Sequence, residues 1–197
     1  MKWLNEFRDL FRLTISSPRA GMAAVFALNL SRGAGISALA LMAIVSSLLL
    51  HLLSLGLAKD SASPAIGLMG GPVMTAVFQF IFLMITAQLI FWIGRARGGQ
   101  GDLTRAILVV AWLEAIMLIV QVVQILIMLV LPGLAPILAL ATIGIFLWFM
   151  CNFIAEAHSF KSVGMVLLGV ILTVLAFSLI LSFIITAILG PEVLQHV

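Results

Sequence analysis

Residues Ala106–Leu131 read AILVVAWLEAIMLIVQVVQILIMLVL, an apolar run in which Glu114, Gln121 and Gln124 are the only charged or amide side chains. A helix rises about 1.5 Å per residue, so such a run reaches across a hydrocarbon core about 30 Å thick. It lacks the period-two alternation of a barrel strand. In lipid every backbone N–H and C=O must be paired internally, and an unbroken apolar run does that as a helix.

The rest of the chain repeats the pattern. Hydrophobic residues make up 64% of the 197 residues and charged ones 9%, with a mean hydropathy of +1.32. A soluble domain cannot hide that much apolar surface from water. Four more long runs accompany the first, giving predicted spans at 36–58, 72–93, 106–131, 136–155 and 163–189. Pro72, Pro132 and Pro136 and the glycine-rich Gly67–Gly71 stretch fall at span ends, where they punctuate helices. The predicted fold is all-α: a polytopic bundle of five transmembrane helices, with residues 190–197 as an external tail. The run beginning at Ile36 is too long for a signal-peptide h-region and is expected to stay as a signal anchor.

Two shorter elements precede the spans. Met1–Ile15 reads as an amphipathic interfacial helix, with Trp3, Leu4, Phe7, Leu10, Phe11 and Thr14 on one face and Lys2, Asn5, Glu6, Arg8, Asp9 and Arg12 on the other. Two placements fit it: in the headgroup plane of the membrane, or packed on the protein's own cytoplasmic loops. Residues 16–35 form a pre-span helix and linker. Ser17-Pro18 reads as an N-cap followed by proline at the first helical position. The helix runs from Arg19 to about Leu30, too short to cross, and Ser31-Arg32-Gly33 breaks it.

Nine of the ten Lys and Arg fall on one side of this arrangement: Lys2, Arg8, Arg12, Arg19, Arg32, Arg95, Arg97, Arg105 and Lys161. Lys59 alone falls on the other. The positive-inside rule then places the N-terminus in the cytoplasm and the C-terminus outside.

Glu114 lies roughly 12 Å along its span. A carboxylate at such depth costs about 2.5–3.5 kcal/mol on insertion scales, so it is expected to face the bundle interior. Gln121 and Gln124 follow within about 80° of it on the helix. This polar stripe is either an ion or solute path or glue between helices. With no second intramembrane carboxylate or basic partner at depth, glue is favoured.

Asn152, Glu156, His158 and Lys161 cluster at the end of the fourth span and read as a membrane-interface group, with Lys161 snorkelling to headgroups. Glu156 and His158 diverge by about 200° and do not chelate one metal together. His51 and His158 fall on opposite sides of the bilayer, which argues against a shared haem. The loop 94–102, rich in Gly and Arg, lacks the lysine-serine/threonine ending of a phosphate-binding loop. It reads as a cytoplasmic turn in which Arg95, Arg97 and Arg105 contact lipid headgroups. Cys151, the single cysteine, reads as a small apolar side chain. No catalytic motif, metal site, cofactor site or nucleic-acid patch emerges. The expected partners are the lipid bilayer and, through helix packing, a second copy or other membrane proteins.

Ser17-Pro18-Arg19 before the first span, and Gly98-Gly99-Gln100-Gly101-Asp102-Leu103 leading into Ala111-Trp112-Leu113, resemble the Yip-domain family. The resemblance covers roughly residues 15–190. It implies five spans, a cytoplasmic N-terminus and a non-enzymatic membrane role. Eukaryotic members interact with Rab-type GTPases and carry a long polar region before the spans. Here only residues 1–35 precede them, which argues against a GTPase partner. The compact form is similar to the bacterial branch and implies an inner-membrane location.

Overall fold

The computed structural model describes residues 2–57 and 71–189. The loop that carries Lys59, most of the Gly67–Gly71 stretch and the tail 190–197 lie outside the described residues, as does the side chain of Trp3. The described residues form seven α-helices and no strand: α1 (Lys2–Ser16), α2 (Pro18–Ala27), α3 (Arg32–Leu57), α4 (Pro72–Ala96), α5 (Leu103–Val130), α6 (Ala135–Ala157) and α7 (Val163–Leu189). A 3-10 turn at Pro132–Leu134 joins α5 to α6. Five of the helices, α3 to α7, are long and apolar enough to cross a membrane.

Most helix ends follow from local chemistry. Asp102 caps α5 by accepting a 2.7 Å hydrogen bond from the Arg105 N–H, and Ser31 accepts one from the Ala34 N–H at 3.2 Å at the start of α3. Proline takes an early helical position in α2, α4 and α6, where its missing N–H costs nothing. Ser17 holds the N-cap position of α2 with extended backbone, but its hydroxyl makes no capping bond. Several helices run past the bounds drawn from hydropathy. α3 starts at Arg32 and α4 ends at Ala96, because a helix continues into the headgroup zone once water and caps satisfy its backbone.

α5 is the central helix and packs on α2, α3, α4 and α6, whereas α7 packs on α6. One apolar core joins α2, α5 and α6 through Met22, Val109, Leu113, Phe149 and Phe153. A second joins α3, α4 and α5 through Leu39, Ala43, Leu83, Ala87, Ile107 and Val110. Away from these cores the helices expose bare hydrocarbon: Val130 is 76% exposed, Leu140 72% and Phe183 77%. Water does not tolerate apolar surface on that scale, and lipid does.

α5 has 28 residues, so it is about 42 Å long and exceeds the hydrocarbon thickness by roughly 12 Å. The excess belongs to its N-terminal end, where Ala106 to Val110 are all buried by protein. α1 and α2 fold back there. Leu10 and Phe11 pack against the first core, Thr14 is fully buried, and Trp112 Nε1 donates to Thr14 Oγ1 at 3.2 Å. The Phe7 ring meets Trp112 edge-on, with centroids 5.8 Å apart. The inner face of α1 therefore rests on the protein's own helices, while Phe7, Leu13 and Ile15 remain partly exposed.

Candidate functional site at the basic end of the bundle

Arg19, Arg32, Arg95, Arg97, Arg105 and Lys161 all lie at the end of the bundle where α4 and α6 finish and α3, α5 and α7 begin. Two helix ends interlock there. α4 closes with Gly98 in the left-handed region at φ +82°. The Gly98 N–H donates to the Arg95 carbonyl at 3.0 Å, and the Gly99 N–H to the Gly94 carbonyl at 2.8 Å. That pattern is a Schellman motif, and the conformation suits glycine. α6 closes the same way around Ser159, φ +58°, whose N–H donates to Glu156 while the Phe160 N–H donates to Ala155 at 2.8 Å.

Between the two caps sits His158, 1% exposed. Its Nδ1 accepts the Gly101 N–H at 3.3 Å and its carbonyl accepts the Gln100 N–H at 3.3 Å. Its ring stacks on Phe160 with centroids 5.5 Å apart. Glycine is required on three sides. A Cβ at Gly94 would stand 2.6 Å from Cδ2 of the ring and closer still to Cε1 and Nε2. One at Gly99 would stand 2.5 Å from Nδ1, and one at Gly101 2.8 Å from Nδ1 and from the Ala157 carbonyl. An accepting Nδ1 puts the proton of the neutral ring on Nε2. Burial holds the imidazole below its ordinary value; the Ile90 carbonyl opposes that shift and the Arg95 cation adds to it. His158 is thus a neutral pin that locks the α4–α5 loop to the end of α6.

The remaining interface residues divide. Asn152 is buried and its amide donates to the Trp148 carbonyl at 2.8 Å within α6. Glu156 is half-buried and Lys161 exposed. Arg19 donates to the Phe160 carbonyl, tying α2 to the α6–α7 loop. Arg105 lies over the Phe26 ring at 5.2 Å. Arg95 and Arg97 are exposed. Among the described residues the sole ion pair is Arg8–Asp9, so the cations of this end are not neutralised by described carboxylates of the same chain.

The polar stripe of α5 does not act as one group. The Gln124 amide meets the Thr142 hydroxyl of α6 at 3.3 Å, and that hydroxyl also lies 2.8 Å from the Leu138 carbonyl of its own helix. Glu114 follows Ile107, Val110 and Ala111 at helical spacing, which places it on the side facing α3 and α4. It is half-buried. In α3, the His51 ring nitrogen Nδ1 lies 2.9 Å from the Ser47 carbonyl, one turn back. Cys151 is a buried free thiol.

The role of His158 was not legible in the sequence. The loop glycines signal tight turns, but nothing in the order of residues says that they surround a ring 57 positions further on.

The Yip1 domain family model matches residues 12–185. No curated protein and no solved structure matches the chain. The match takes in α2 to α6, most of α7 and the whole glycine–histidine junction. The chain belongs to the Yip1 domain family.

Proposed function

We propose that this protein is a non-enzymatic scaffold or organiser of the inner membrane, with its basic end and N-terminus in the cytoplasm and its C-terminus outside. It acts through helix packing and through contacts with lipid, with a second copy or with other membrane proteins. The observation that carries the reading is where the polar side chains go. Gln124 holds α6, Asn152 bonds within its own helix and His158 closes a loop. Neither the cavity beside Phe11 and Trp148 nor the groove beside Phe82 and Met165 is lined by Glu114, Gln121 or Gln124. Polar groups used this way hold backbone in place, and an interhelical bond such as that between Gln124 and Thr142 contributes about 0.6 kcal/mol in a membrane.

The rival reading is a small transporter or channel with a path along Glu114, Gln121 and Gln124. One observation favours it: Glu114 makes no hydrogen bond to another described residue, and a membrane carboxylate without a partner is a common mark of a pathway. Glu114→Gln separates the two. For a scaffold, the reconstituted protein passes no ions or small solutes before or after the substitution, and assembly is unchanged. A wild-type flux that falls tenfold or more in Glu114→Gln, with assembly intact, overturns the scaffold reading.

A further inference from the structure

α7 packs on α6, whereas α4 packs on α3 and α5 and not on α7. Between α4 and α7 lies a groove of about 660 Å³ with Met150 and Ile154 of α6 among the residues of its floor. That volume is within the range of about 300–1,000 Å³ typical of pockets for small ligands. Its α4 wall runs from Phe82 to Arg97, about 22 Å along the helix axis. One leaflet of hydrocarbon is about 15 Å deep, so the groove spans an acyl chain and the headgroup level above it.

The chemistry of the lining is graded along that length. Arg97 and Lys161 line the end towards the basic face, and no acidic residue lines any of it. Deeper in, the walls are hydrocarbon. The hydroxyls of Thr86 and Thr173 are already used, donating to the Phe82 and Gly169 carbonyls of their own helices. Ser162 at the mouth accepts from the Met165 N–H. Among the lining residues the hydroxyls of Ser162 and Ser178 still offer a donor, few partners for a polar solute along so long a wall, whereas an alkyl chain needs none.

We propose that the groove binds one anionic phospholipid of the cytoplasmic leaflet. An acyl chain lies between α4 and α7, and the phosphate sits on Arg97 and Lys161. This rests on the reading that both helices cross the bilayer, and it names the lipid class and the seat for the lipid contacts of the scaffold.

The test is native mass spectrometry of the full-length protein in detergent, offered phosphatidylglycerol or phosphatidylethanolamine. The wild type should retain one phosphatidylglycerol in preference to phosphatidylethanolamine by roughly tenfold. Arg97→Gln with Lys161→Gln should abolish the preference while the protein stays folded, both side chains being exposed and at the groove mouth. Gly169→Phe should remove both lipids. A Cβ at Gly169 meets nothing within 4 Å, so the ring enters the groove without displacing backbone. Unchanged preference in the charge variant, or unchanged lipid in Gly169→Phe, overturns the proposal. So does a lipid-free dimer that Gly169→Phe dissociates, which would make a second copy the occupant. None of these outcomes bears on flux through Glu114, so failure here is distinct from failure of the scaffold reading.

Discussion

Gly94→Ala should destabilise the protein by about 1–3 kcal/mol, and most of that loss should vanish in a His158→Ala background. The new methyl group would overlap the imidazole ring, and the ring has little room to retreat, stacked on Phe160 and held by the Gly101 N–H. Overpacking of a filled site costs about 1–3 kcal/mol, which outweighs the gain of up to about 1 kcal/mol in helix propensity from replacing glycine. His158→Ala alone should cost about 2–4 kcal/mol, since it leaves a cavity and an orphaned Gly101 N–H. In the double variant the methyl group introduced at position 94 enters the emptied space. A coupling of about 1–3 kcal/mol in the double-mutant cycle is therefore expected, read from thermal unfolding in detergent. Additive losses would mean that Gly94 and His158 do not share a site.

The same pin gives stability a pH dependence of known sign. Burial lowers the pKa of His158 in the folded protein, and the facing Arg95 cation adds to the lowering. The unfolded chain takes up the proton near the ordinary value of about 6.5. Stability from this group is thus fully present above about pH 6.5 and is lost as pH falls from there towards the folded pKa. His158→Ala should flatten that part of the profile.

Gly21→Val should detach α1 from the bundle. A Cβ at Gly21 would stand 2.5 Å from the Cα of Thr14, and this neighbour is backbone, so a rotamer change cannot relieve it. α1 must move away from α2, breaking the bond from Trp112 Nε1 to the Thr14 hydroxyl and uncovering the Trp112 indole. The expected loss is at least about 1–3 kcal/mol, seen as a shifted tryptophan emission and faster proteolysis between α1 and α2. If α1 also binds the leaflet surface, the released segment stays helical on vesicles and becomes disordered when Phe7 and Phe11 are serine. Unchanged emission and proteolysis would show that α1 is not held through Thr14.

The spans were legible because hydropathy reports the solvent a helix faces, and five runs in this chain face lipid. Caps were less legible. Ser17, which reads as an N-cap, takes that position without a capping bond, and the capping bonds are made by Asp102 and Ser31, which read as loop and helix-break residues. Neighbours are another matter. Nothing in the spacing of Glu114, Gln121 and Gln124 showed that Gln124 turns to Thr142 on α6 while Glu114 lies towards α3 and α4, because an 80° separation is enough to reach different helices. His158 resembled an interface histidine, since its burial comes from a loop distant in sequence. Both placements considered for Met1–Ile15 needed the same apolar face, so amphipathicity alone could not choose between lipid and Trp112. The groove between α4 and α7 had no signature at all: its lining residues look like any lipid-facing helix, and only the standoff of α7 from α4 makes it a space.

The central claim is a five-span chain whose basic end lies in the cytoplasm. Topology reporters fused after Lys161 and after Val197 test it most directly. Lys161 belongs to the basic end, and only α7, with its exposed apolar surface, separates it from the C-terminal tail. The fusion after Lys161 should report cytoplasm and the fusion after Val197 the outside. If both report cytoplasm, α7 does not cross, and the span count, the orientation of the tail and the groove between α4 and α7 fall with it.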